Sequence, residues 1–505
     1  MTPAAPDPAV LLERIAALEA ENKLLREKIN LLVRRVFGAK SEQLSSAQLQ
    51  LLLTGMEGPA PGKSEASGSA RTGDTLEALP AEHSVRAKSE RSPRLPEHLP
   101  VVEEIIDPDM VCEAPEQWRC IGQEITEQLD YEPARFVCRR LIRRKYVSRH
   151  HPEAAPVTAP LHILQDRCLA APGLLAQIIV SKYCDHLPLY RQEQIFKTRY
   201  GVVIPRQTMA RWMAMTADWL RPLWREIKTT VMDGGYVQID ETPVRYLAPG
   251  NGKTKQGYLW AAHRPGGDTV FHWHASRAAA CLESIVPEKW QGILQCDGYV
   301  AYDAFARQCG GAVTLASCMA HIRRGFYEAK EEAPRRAGWV LRQMQQLYAL
   351  EKTLRENKAG PVLRTTRRAA VAAPVLTRLK KALLLFRSSG RHLPQSSFGK
   401  AVSYALSQWE ALTPYLTDGR VELDNNLVEN AIRPTALGKK NYLFFGDAAA
   451  GESSAILYTV IESARRRGLN PQAYLRYILT RLPAMKQREI GTITPAAWAT
   501  ARKAA

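Results

Sequence analysis

Cysteine is scarce and scattered in this chain. Nine cysteines are spread over 505 residues, and no two of them are spaced as C-x-x-C. A disulfide framework and a strong zinc signature both need cysteines at close, regular spacing, so the pattern excludes both. We expect reduced thiols, most of them in the core.

Long apolar segments are missing as well. The first ten residues lack a cationic region followed by an apolar core, and no later stretch stays apolar long enough to cross a bilayer. The sequence therefore predicts a cytoplasmic protein with no membrane partner.

Acidic residues are too few to balance the basic ones. Lys and Arg total 69 against 51 Asp and Glu, a formal net charge of +18, and basic residues cluster at 139–145 and 465–467. Nucleic acid is the first candidate partner, because each neutralised phosphate releases condensed counterions. A basic surface without a ligand is the alternative, and net charge alone does not decide between them.

The chain is long enough to divide into several structural units, and the first is a heptad-repeat helix at residues 8–54. Leucine at the d positions, isoleucine at the a positions and one buried Asn favour a parallel two-stranded coiled coil. A single amphipathic helix packed on its own chain is the alternative. The residues of the dimerisation seam are Leu11, Ile15, Leu18, Asn22, Leu25, Ile29 and Leu32.

Three segments of different composition follow. Residues 55–100 are rich in Gly, Ser, Pro, Ala and charge, which is typical of a flexible linker. Residues 101–165 read as short strands with polar turns and predict a small β-rich module, and residues 166–228 become helical.

The helical segment contains a candidate DNA-reading unit. A helix ending near Tyr200, a turn at Gly201 and a second helix from Pro205 resemble a helix-turn-helix, whose second helix enters the major groove. An ordinary helical hairpin fits the pattern equally well. In the first interpretation the residues that contact DNA are Arg206, Gln207, Thr208 and Arg211.

The pattern changes to that of strands after residue 235, which implies a mixed sheet with a helix near 278–285. Residues 339–385 are basic and helical, and residues 455–482 are helical with a break near Gly468. The expected strands are Tyr236–Tyr246, Gln256–His263, Thr269–His274 and Gly292–Cys296.

Two aspartates end strand-like runs in this region. Asp240 should lie on the face opposite the apolar residues of its run, just before a Thr-Pro pair that should stop regular pairing. Asp297 follows a second apolar run and precedes the turn glycine Gly298. We expect both carboxylates to project from neighbouring strand ends.

A third acid, Glu429, belongs to a helix that should start at Asn425 or Asn426. Arg433 follows on the same helical face, and Pro434 should end or kink the helix. Carboxylate oxygens suit Mg²⁺, and two such ions about 4 Å apart can activate the attacking oxygen and stabilise the leaving one in phosphoryl transfer.

Each acid also has a simpler structural explanation. Asp240 could merely end a strand, Asp297 could belong to a turn, and Glu429 could close a capping box with Asn426. Taken singly, each of these explanations is the better one. Only the combination of basic charge, a candidate DNA-reading unit and the wider family resemblance carried by the motifs below favours a shared site for two Mg²⁺ ions, for which Mn²⁺ can substitute.

Several longer motifs occur in one order along the chain: Lys182–Glu193, Gln238–Pro243, Cys296–Tyr299, Cys318–Arg324 and Asp424–Pro434, with Lys440–Asn441. Together they resemble the large transposase of the bacterial insertion sequence 66 family. The resemblance runs from near residue 24 to near residue 498, which is most of the chain.

The resemblance implies a multidomain α+β protein with a coiled coil, a helix-turn-helix and a ribonuclease-H-like α/β catalytic domain that is interrupted by a helical insertion. The implied units are a coiled coil at 8–54, a linker at 55–100, a degenerate zinc-finger-like β module at 101–165, a helix-turn-helix region at 166–228, the first part of the catalytic core at 229–327, the insertion at 328–418, the last part of the core at 419–450 and a C-terminal helical region at 451–505.

The resemblance also assigns roles. Asp240, Asp297 and Glu429 match the family's acidic triad, which implies that water cleaves DNA at an element end and the freed 3′ hydroxyl attacks target DNA. A structural role is an equal alternative for His321. The residues expected at DNA phosphates are His321, Arg323, Arg324, Arg433, Lys439 and Lys440.

The chain departs from many relatives in the zinc-finger-like segment, where Pro115, Ser148 and His151 stand at positions expected for ligands. The spacing of Cys112, Cys120, Cys138 and His150 suits tetrahedral zinc poorly, so Zn²⁺ is not expected there.

The partners implied are DNA, a second copy of the chain bound through the coiled coil, and small proteins encoded by the same element, all in the bacterial cytoplasm at the nucleoid. The rival hypotheses are a non-catalytic DNA-binding remnant or repressor, and a nuclease of the same fold that does not transfer strands.

Overall fold

The computed structural model describes residues 99–504 except 133, 134, 152, 249 and 251. The predicted coiled coil, with its seam from Leu11 to Leu32, lies outside the described residues, as does the predicted linker up to residue 98.

The segment predicted to be β-rich forms a four-stranded sheet. Its long hairpin is antiparallel, and the first strand pairs in parallel with the third, which gives the order β1-β3-β2 with β4 on the free part of β3. A short helix, α1 (Asp109–Glu113), follows the first strand. The strands are β1 (Val101–Ile106), β2 (Trp118–Glu132), β3 (Arg135–Ser148) and β4 (Val157–Thr158).

Three helices follow: α2 (Pro172–Tyr183), α3 (Leu189–Tyr200) and α4 (Arg206–Met232). Gly201 ends α3 in the left-handed conformation (φ 68°), which a glycine adopts without strain. The second helix of the predicted pair was expected to end near Leu220. It continues to Met232 because its buried apolar stripe extends to Val231, through Pro222.

A mixed sheet forms the centre of the molecule, as predicted. Its order is β7-β6-β5-β8-β9, in which β6 is antiparallel to both neighbours and β5, β8 and β9 are parallel to one another. The strands are β5 (Tyr236–Leu247), β6 (Thr254–His263), β7 (Thr269–His274), β8 (Gly292–Cys296) and β9 (Val313–Ser317).

The expectation that Thr242 and Pro243 stop the first of these strands is wrong. β5 continues its pairing with β6 as far as Leu247. On its other side the pairing with β8 ends at Gln238, and that with β10 (Phe444–Phe445) begins at Arg245. The proline lies between the two, where its missing N–H removes no ladder bond on that side.

Helices surround the sheet and extend from it. α5 (Ala280–Ile285) and α6 (Val300–Gln308) connect the parallel strands, and α7 (Met319–Glu328) follows β9. The predicted helix at 339–385 is divided into several pieces with their own apolar core. The pieces are α8 (Pro334–Glu356), α9 (Pro361–Arg367), a π-helical turn (Arg368–Ala372) and α10 (Ala373–Ser388). Two further helices follow, α11 (Ser397–Ser407) and α12 (Thr413–Thr417).

The last helices complete the main core. α13 (Asn426–Tyr442) packs on β5 and β6, α14 (Ala448–Arg466) packs on β7 and α4, and α15 (Pro471–Arg481) packs on α2. The predicted break near Gly468 is confirmed, with φ at 69°. A final helix, α16, spans Pro495–Ala504.

The expectation that Pro434 ends its helix is wrong, because α13 runs eight residues further to Tyr442. A proline removes one helical hydrogen bond, but its neighbours Ala431, Ile432 and Thr435 are buried. Their packing against the sheet holds the helix together past the proline.

Acids of the same chain pair with all the basic residues of the first cluster and with two of the three in the second. On β3, each of the five basic residues from 139 to 145 has an acidic partner; the pairs are Arg139 with Glu104, Arg140 with Glu103 and Glu127, Arg143 with Glu124, Arg144 with Asp107, and Lys145 with Glu124. In the second cluster, Arg465 pairs with Glu462 and Arg467 with Asp268. The uncompensated positive charge must therefore lie elsewhere.

Every helix in the part of the chain that the structure describes is too short or too polar to cross a membrane.

Candidate metal-binding active site

Asp240 and Asp297 stand at equivalent points of neighbouring parallel strands. Gln238 of β5 is opposite Gln295 of β8, and each aspartate follows its glutamine by two residues. Asp240 lies within β5, and Asp297 comes directly after β8. Strand alternation puts Asp240 on the same face as Gln238, which is the face covered by α13.

Glu429 reaches this face from α13. Asn425 is the N-cap residue and its side chain makes no capping bond, so Glu429 is the fourth residue of the helix and not the third. The capping-box explanation with Asn426 is therefore wrong. The Glu429 Oε1 atom is buried and has no hydrogen-bond partner.

The pKa of Asp240 reflects the other acidic side chains near it. Burial first, and then the negative charges of Glu241, Glu429 and Asp297, raise the pKa of Asp240 to about 7, against one backbone hydrogen bond that lowers it. The three predicted acids therefore share one electrostatic environment, although their oxygens do not form a group within 4.8 Å of one another among the described residues. Carboxylates that flank two ions about 4 Å apart need not touch each other.

Asp297 has a turn role and a free oxygen. Its Oδ1 accepts the Tyr299 amide at 3.0 Å, which is the turn chemistry weighed for it, and its Oδ2 lies 3.9 Å from Arg277. Arg277 also forms a salt bridge with the buried Glu241 and stacks 3.7 Å above the Tyr299 ring. Arg277 thus holds a positive charge at the edge of the acidic site. No sequence pattern singled out Arg277, because it lies in the irregular connection after β7.

Gln238 and Gln295 are two further residues that the sequence analysis did not single out. Both are fully buried, and the Gln238 amide donates to Gln295 Oε1 at 2.8 Å. Tyr236 donates its hydroxyl to the same oxygen at 2.6 Å. A signal was present in the sequence, since both aspartates occur as Q-x-D.

This amide pair holds the segment that leads into α13. Gln295 donates to the Glu422 carbonyl at 2.8 Å, and Gln238 donates to the Asp424 carbonyl at 3.0 Å. Gln238 also accepts the Val428 amide at 3.3 Å. The strand residues beside the two aspartates therefore position the backbone that carries Glu429.

His321 lies beside the third acid. It is on α7, with its Nδ1 atom 3.8 Å from Glu429 Oε1. That nitrogen is buried and has no hydrogen-bond partner, so His321 is not the satisfied structural histidine that was the alternative. Cys318, Glu429 and His321 each offer one ligand atom within 4.8 Å of the others.

Exposed cations line a cleft next to this group. The cleft has a volume of about 970 Å³ and lies between α7, α8 and the start of α13 at Asn426. Arg323 and Arg324, both predicted to contact DNA, are exposed in it. Its further polar and aromatic lining includes Lys330, Arg342 and the exposed Tyr327.

The predicted cations of α13 differ from one another. Arg433 and Lys440 are exposed, and Arg433 follows Glu429 by one turn. Lys439 instead donates to Thr242 Oγ1 and to the Pro243 carbonyl, each at 2.9 Å, and burial lowers its pKa. Its ammonium thus ties α13 to β5.

The predicted DNA-reading residues lie at the start of α4, away from these acids in sequence. Arg206, Gln207 and Arg211 are exposed and Thr208 is half-buried. Arg211 donates to Thr208 Oγ1 at 3.4 Å. Their role in DNA binding stays a prediction.

The irregular cysteine site considered for the β-rich module does not form. Cys120 is opposite Tyr146, whereas Cys138 is opposite Leu129, so the two thiols lie far apart along the hairpin.

Comparison with known proteins identifies related sequences over nearly the whole chain. A family model described as the transposase IS66 family matches residues 167–453. A model described as transposase C of IS166 homeodomain matches residues 24–103, and the IS66 C-terminal element matches residues 459–495.

Three relatives from Sinorhizobium fredii (strain NBRC 101917 / NGR234) carry the printed description "uncharacterized protein". The chain is 36% identical to y4qI over 416 residues, which is 78% of this chain and 76% of the relative. It is 34% identical to y4jD over 423 residues (80% and 81%) and 28% identical to y4hP over 508 residues (94% and 88%). Because the IS66 transposase model alone spans more than half of its length, the chain belongs to the IS66 transposase family.

Proposed function

We propose that this transposase binds the ends of an insertion sequence and catalyses metal-dependent strand cleavage followed by transfer of the 3′ hydroxyl into target DNA. Asp240, Asp297 and Glu429 are the catalytic acids in this proposal. The observation that carries it is the pair of aspartates at matched positions of β5 and β8, facing a glutamate whose buried oxygen has no partner.

The proposal includes a ribonuclease-H-like catalytic core. The mixed six-stranded sheet, the two acids on its adjacent parallel strands and the third acid on a helix that follows a helical insertion support it.

Divalent metal ions fit the donor set of this site. The DDE transposase family generally uses such ions. Three carboxylates, one of them with an unsatisfied buried oxygen, are hard ligands of the type that Mg²⁺ or Mn²⁺ prefers. When bound, two ions would lower the energy of the attacking and leaving oxygens of a phosphodiester.

The chain's own residues supply position and charge. Gln238 and Gln295 hold the backbone before Glu429 against the two aspartate strands. Arg277, already neutralised in part by Glu241, keeps one Asp297 oxygen oriented. The cleft cations Arg323 and Arg324 are placed to hold phosphates beside the acids, where they would bind DNA without reading its sequence.

Recognition of the element ends is assigned to the start of α4. In this proposal Arg206, Gln207, Thr208 and Arg211 enter a major groove, and His321, Arg433 and Lys440 contact phosphates near the cleavage point. The predicted coiled coil would join two copies, so that both ends of an element are held together, with small proteins of the same element as further partners at the bacterial nucleoid.

The test is strand transfer with purified full-length protein, labelled element ends and Mg²⁺. Asp240→Asn and Asp297→Asn should each reduce joined product by at least about 100-fold, because each removes a charged ligand of the proposed ions. Binding of the labelled ends, measured by fluorescence anisotropy, should be retained.

Asp233→Asn is the matched control, since Asp233 is an exposed aspartate that precedes β5. It should transfer strands as the unmodified protein does. Strand transfer retained in the Asp240 or Asp297 variants would refute the triad. End binding without any Mg²⁺-dependent or Mn²⁺-dependent cleavage would favour the non-catalytic repressor, and nicking without joining would favour a nuclease.

A further inference from the structure

A thiol, an imidazole and a carboxylate meet at the edge of the proposed active site. Cys318 is the N-cap residue of α7, His321 lies one turn later on that helix, and Glu429 approaches from α13. One ligand atom of each lies within 4.8 Å of the other two. No second group of three such side chains occurs within the described ranges.

Two of these three groups have unsatisfied buried atoms that face each other. His321 Nδ1 and Glu429 Oε1 are 3.8 Å apart, and neither has a hydrogen-bond partner. That distance is too long for a hydrogen bond between them. It suits one ion between them, because zinc bonds to nitrogen and oxygen are each about 2.0 to 2.2 Å.

The surroundings of the thiol also suit an ion. Cys318 Sγ accepts the Asn425 amide at 3.4 Å and lies at the N-terminus of α7. Asn425 is fully buried, and neither polar atom of its side chain has a partner. An incoming ion displaces the thiol proton to solvent as the sulfur–metal bond forms.

The chemistry of the three ligands selects the ion. Mg²⁺ prefers oxygen ligands and octahedral geometry, whereas a sulfur, a nitrogen and an oxygen suit tetrahedral Zn²⁺ or Co²⁺. We propose that Cys318, His321 and Glu429 form a site for one thiophilic divalent ion of the Zn²⁺ class. This site is separate from the β-rich module, where no Zn²⁺ is expected from the sequence.

Occupancy of this site has a consequence for catalysis. Glu429 cannot serve the thiophilic ion and the proposed Mg²⁺ site with the same oxygen. Zn²⁺ should therefore inhibit strand transfer by withdrawing the third acid from the two aspartates. This inhibitory role rests on the proposed function, whereas binding of the ion does not.

The binding test uses Co²⁺ as a coloured probe, titrated into metal-free full-length protein under reducing conditions. The expected result is one Co²⁺ per chain with a thiolate-to-cobalt charge-transfer band and the visible bands of tetrahedral cobalt. Cys318→Ser should abolish the charge-transfer band, and His321→Ala should weaken Co²⁺ binding at least about tenfold.

Matched controls separate this site from the other groups. Cys120→Ser removes an exposed thiol elsewhere, and Asp240→Asn alters the Mg²⁺ site, so both should keep the band. Circular dichroism checks that each variant folds, and His321→Ala decides the outcome if Cys318→Ser does not fold. A band that survives in Cys318→Ser, or that never forms in the unmodified protein, would overturn the proposal.

The inhibition test adds Zn²⁺ to strand transfer at saturating Mg²⁺. Zn²⁺ should lower joined product in the unmodified protein, and at least tenfold more Zn²⁺ should be needed for the same loss in Cys318→Ser. Equal inhibition of both would overturn the inhibitory role and leave the transposase proposal standing. A cobalt band in a protein that shows no strand transfer under any condition would instead support the ion site while contradicting the proposed function.

Discussion

Gln295 joins four partners that belong to distant parts of the chain. Its amide nitrogen donates to the Ser317 and Glu422 carbonyls, and its oxygen accepts from Tyr236 and Gln238. The Gln295 side chain is fully buried, so no water molecule can replace a hydrogen bond that it loses. One amide therefore connects β5, β8 and β9 to the segment before the third acid.

Replacement of this amide by leucine, a residue of similar size, should be costly. Gln295→Leu leaves several buried donors and acceptors unpaired, and we expect a loss of about 2 to 4 kcal/mol in the free energy of unfolding. The measurement is urea unfolding followed by fluorescence.

Gln256→Leu is the control, because Gln256 is an exposed glutamine of β6. It should change the free energy of unfolding by no more than about 0.5 kcal/mol. A Gln295→Leu protein as stable as the control would mean that the amide network does not hold the sheet to the segment before α13.

Single residues were predictable from sequence where their chemistry is local. Asp240 and Asp297 follow apolar strand runs, and that pattern together with the family resemblance singled them out. Gln238, Gln295 and Arg277 were missed because their partners lie far away in the chain, as with Gln238 and the Asp424 carbonyl. Local pattern carries no information about such contacts.

At the scale of elements, β7 carries an unusual buried histidine. His272 packs edge-on against Trp224 of α4, with ring centroids 5.0 Å apart, and its Nε2 has no hydrogen-bond partner. Burial, and then the positive charges of Lys228 and His274, hold the pKa of His272 well below its usual value. The folded protein therefore keeps this ring neutral.

The sign of the resulting pH dependence follows from the depressed pKa. Below about pH 6.5 the unfolded chain takes up a proton at His272 and the folded chain does not, so stability present above that pH is lost as the pH falls. His272→Phe keeps the ring packing and removes the proton uptake. Between pH 7 and about pH 5, it should lose about 2 kcal/mol less stability than the unmodified protein.

The measurement is urea unfolding at both pH values. His150→Phe, which replaces an exposed histidine, should lose as much stability on acidification as the unmodified protein. If His272→Phe behaves in the same way as this control, the buried ring does not contribute to acid sensitivity.

Element types were largely predictable, and element ends were not. The runs at Thr269–His274 and Gly292–Cys296 coincide with β7 and β8, since their apolar pattern is bounded by turn residues on both sides. Pro243 was expected to stop its strand and Pro434 to end or kink its helix, but β5 and α13 both continue past their prolines. β5 keeps its pairing with β6, and the packing of α13 against the sheet outweighs the helical hydrogen bond lost at Pro434.

At the scale of the whole molecule, a buried ion network ties the helical segment at 334–417 to the segment before α13. Glu351 of α8 receives two hydrogen bonds from Arg368, at 2.7 and 3.0 Å, and one from Arg364 at 2.8 Å. Arg364 also binds Glu422 at 2.8 Å. Glu422 in turn lies in the segment that Gln295 holds.

Loss of the shared carboxylate charge should leave Arg368 without an acidic partner, whereas Arg364 keeps Glu422. Arg368 is fully buried, so Glu351→Gln should destabilise the protein by about 3 to 5 kcal/mol. We expect a fall in melting temperature by differential scanning calorimetry. Glu356→Gln removes an exposed charge on the same helix, paired with Lys352, and should leave the melting temperature nearly unchanged. A Glu351→Gln protein with the same melting temperature as Glu356→Gln would contradict the structural role of the network.

The division into a β-rich module, a helical segment and a mixed sheet was predictable at this scale, because the period of the apolar pattern changes at each boundary. The charge distribution was not. Basic runs such as 139–145 suggest an open cationic surface, yet their acidic partners lie up to 37 residues away along the chain, as in the pair Arg140–Glu103. Pairing across a sheet depends on register, which charge counts do not contain.

The late position of α13 and α14 in the chain governs when the protein can act during its own synthesis. A ribosome adds residues from the N-terminus, and the strands with Asp240 and Asp297 emerge well before the helix with Glu429. Until α14 emerges, the apolar face of β7 against which it packs stays uncovered. A nascent or prematurely terminated chain therefore lacks Glu429 and exposes apolar surface, so that the site proposed for DNA cleavage can be complete only in a nearly full-length product.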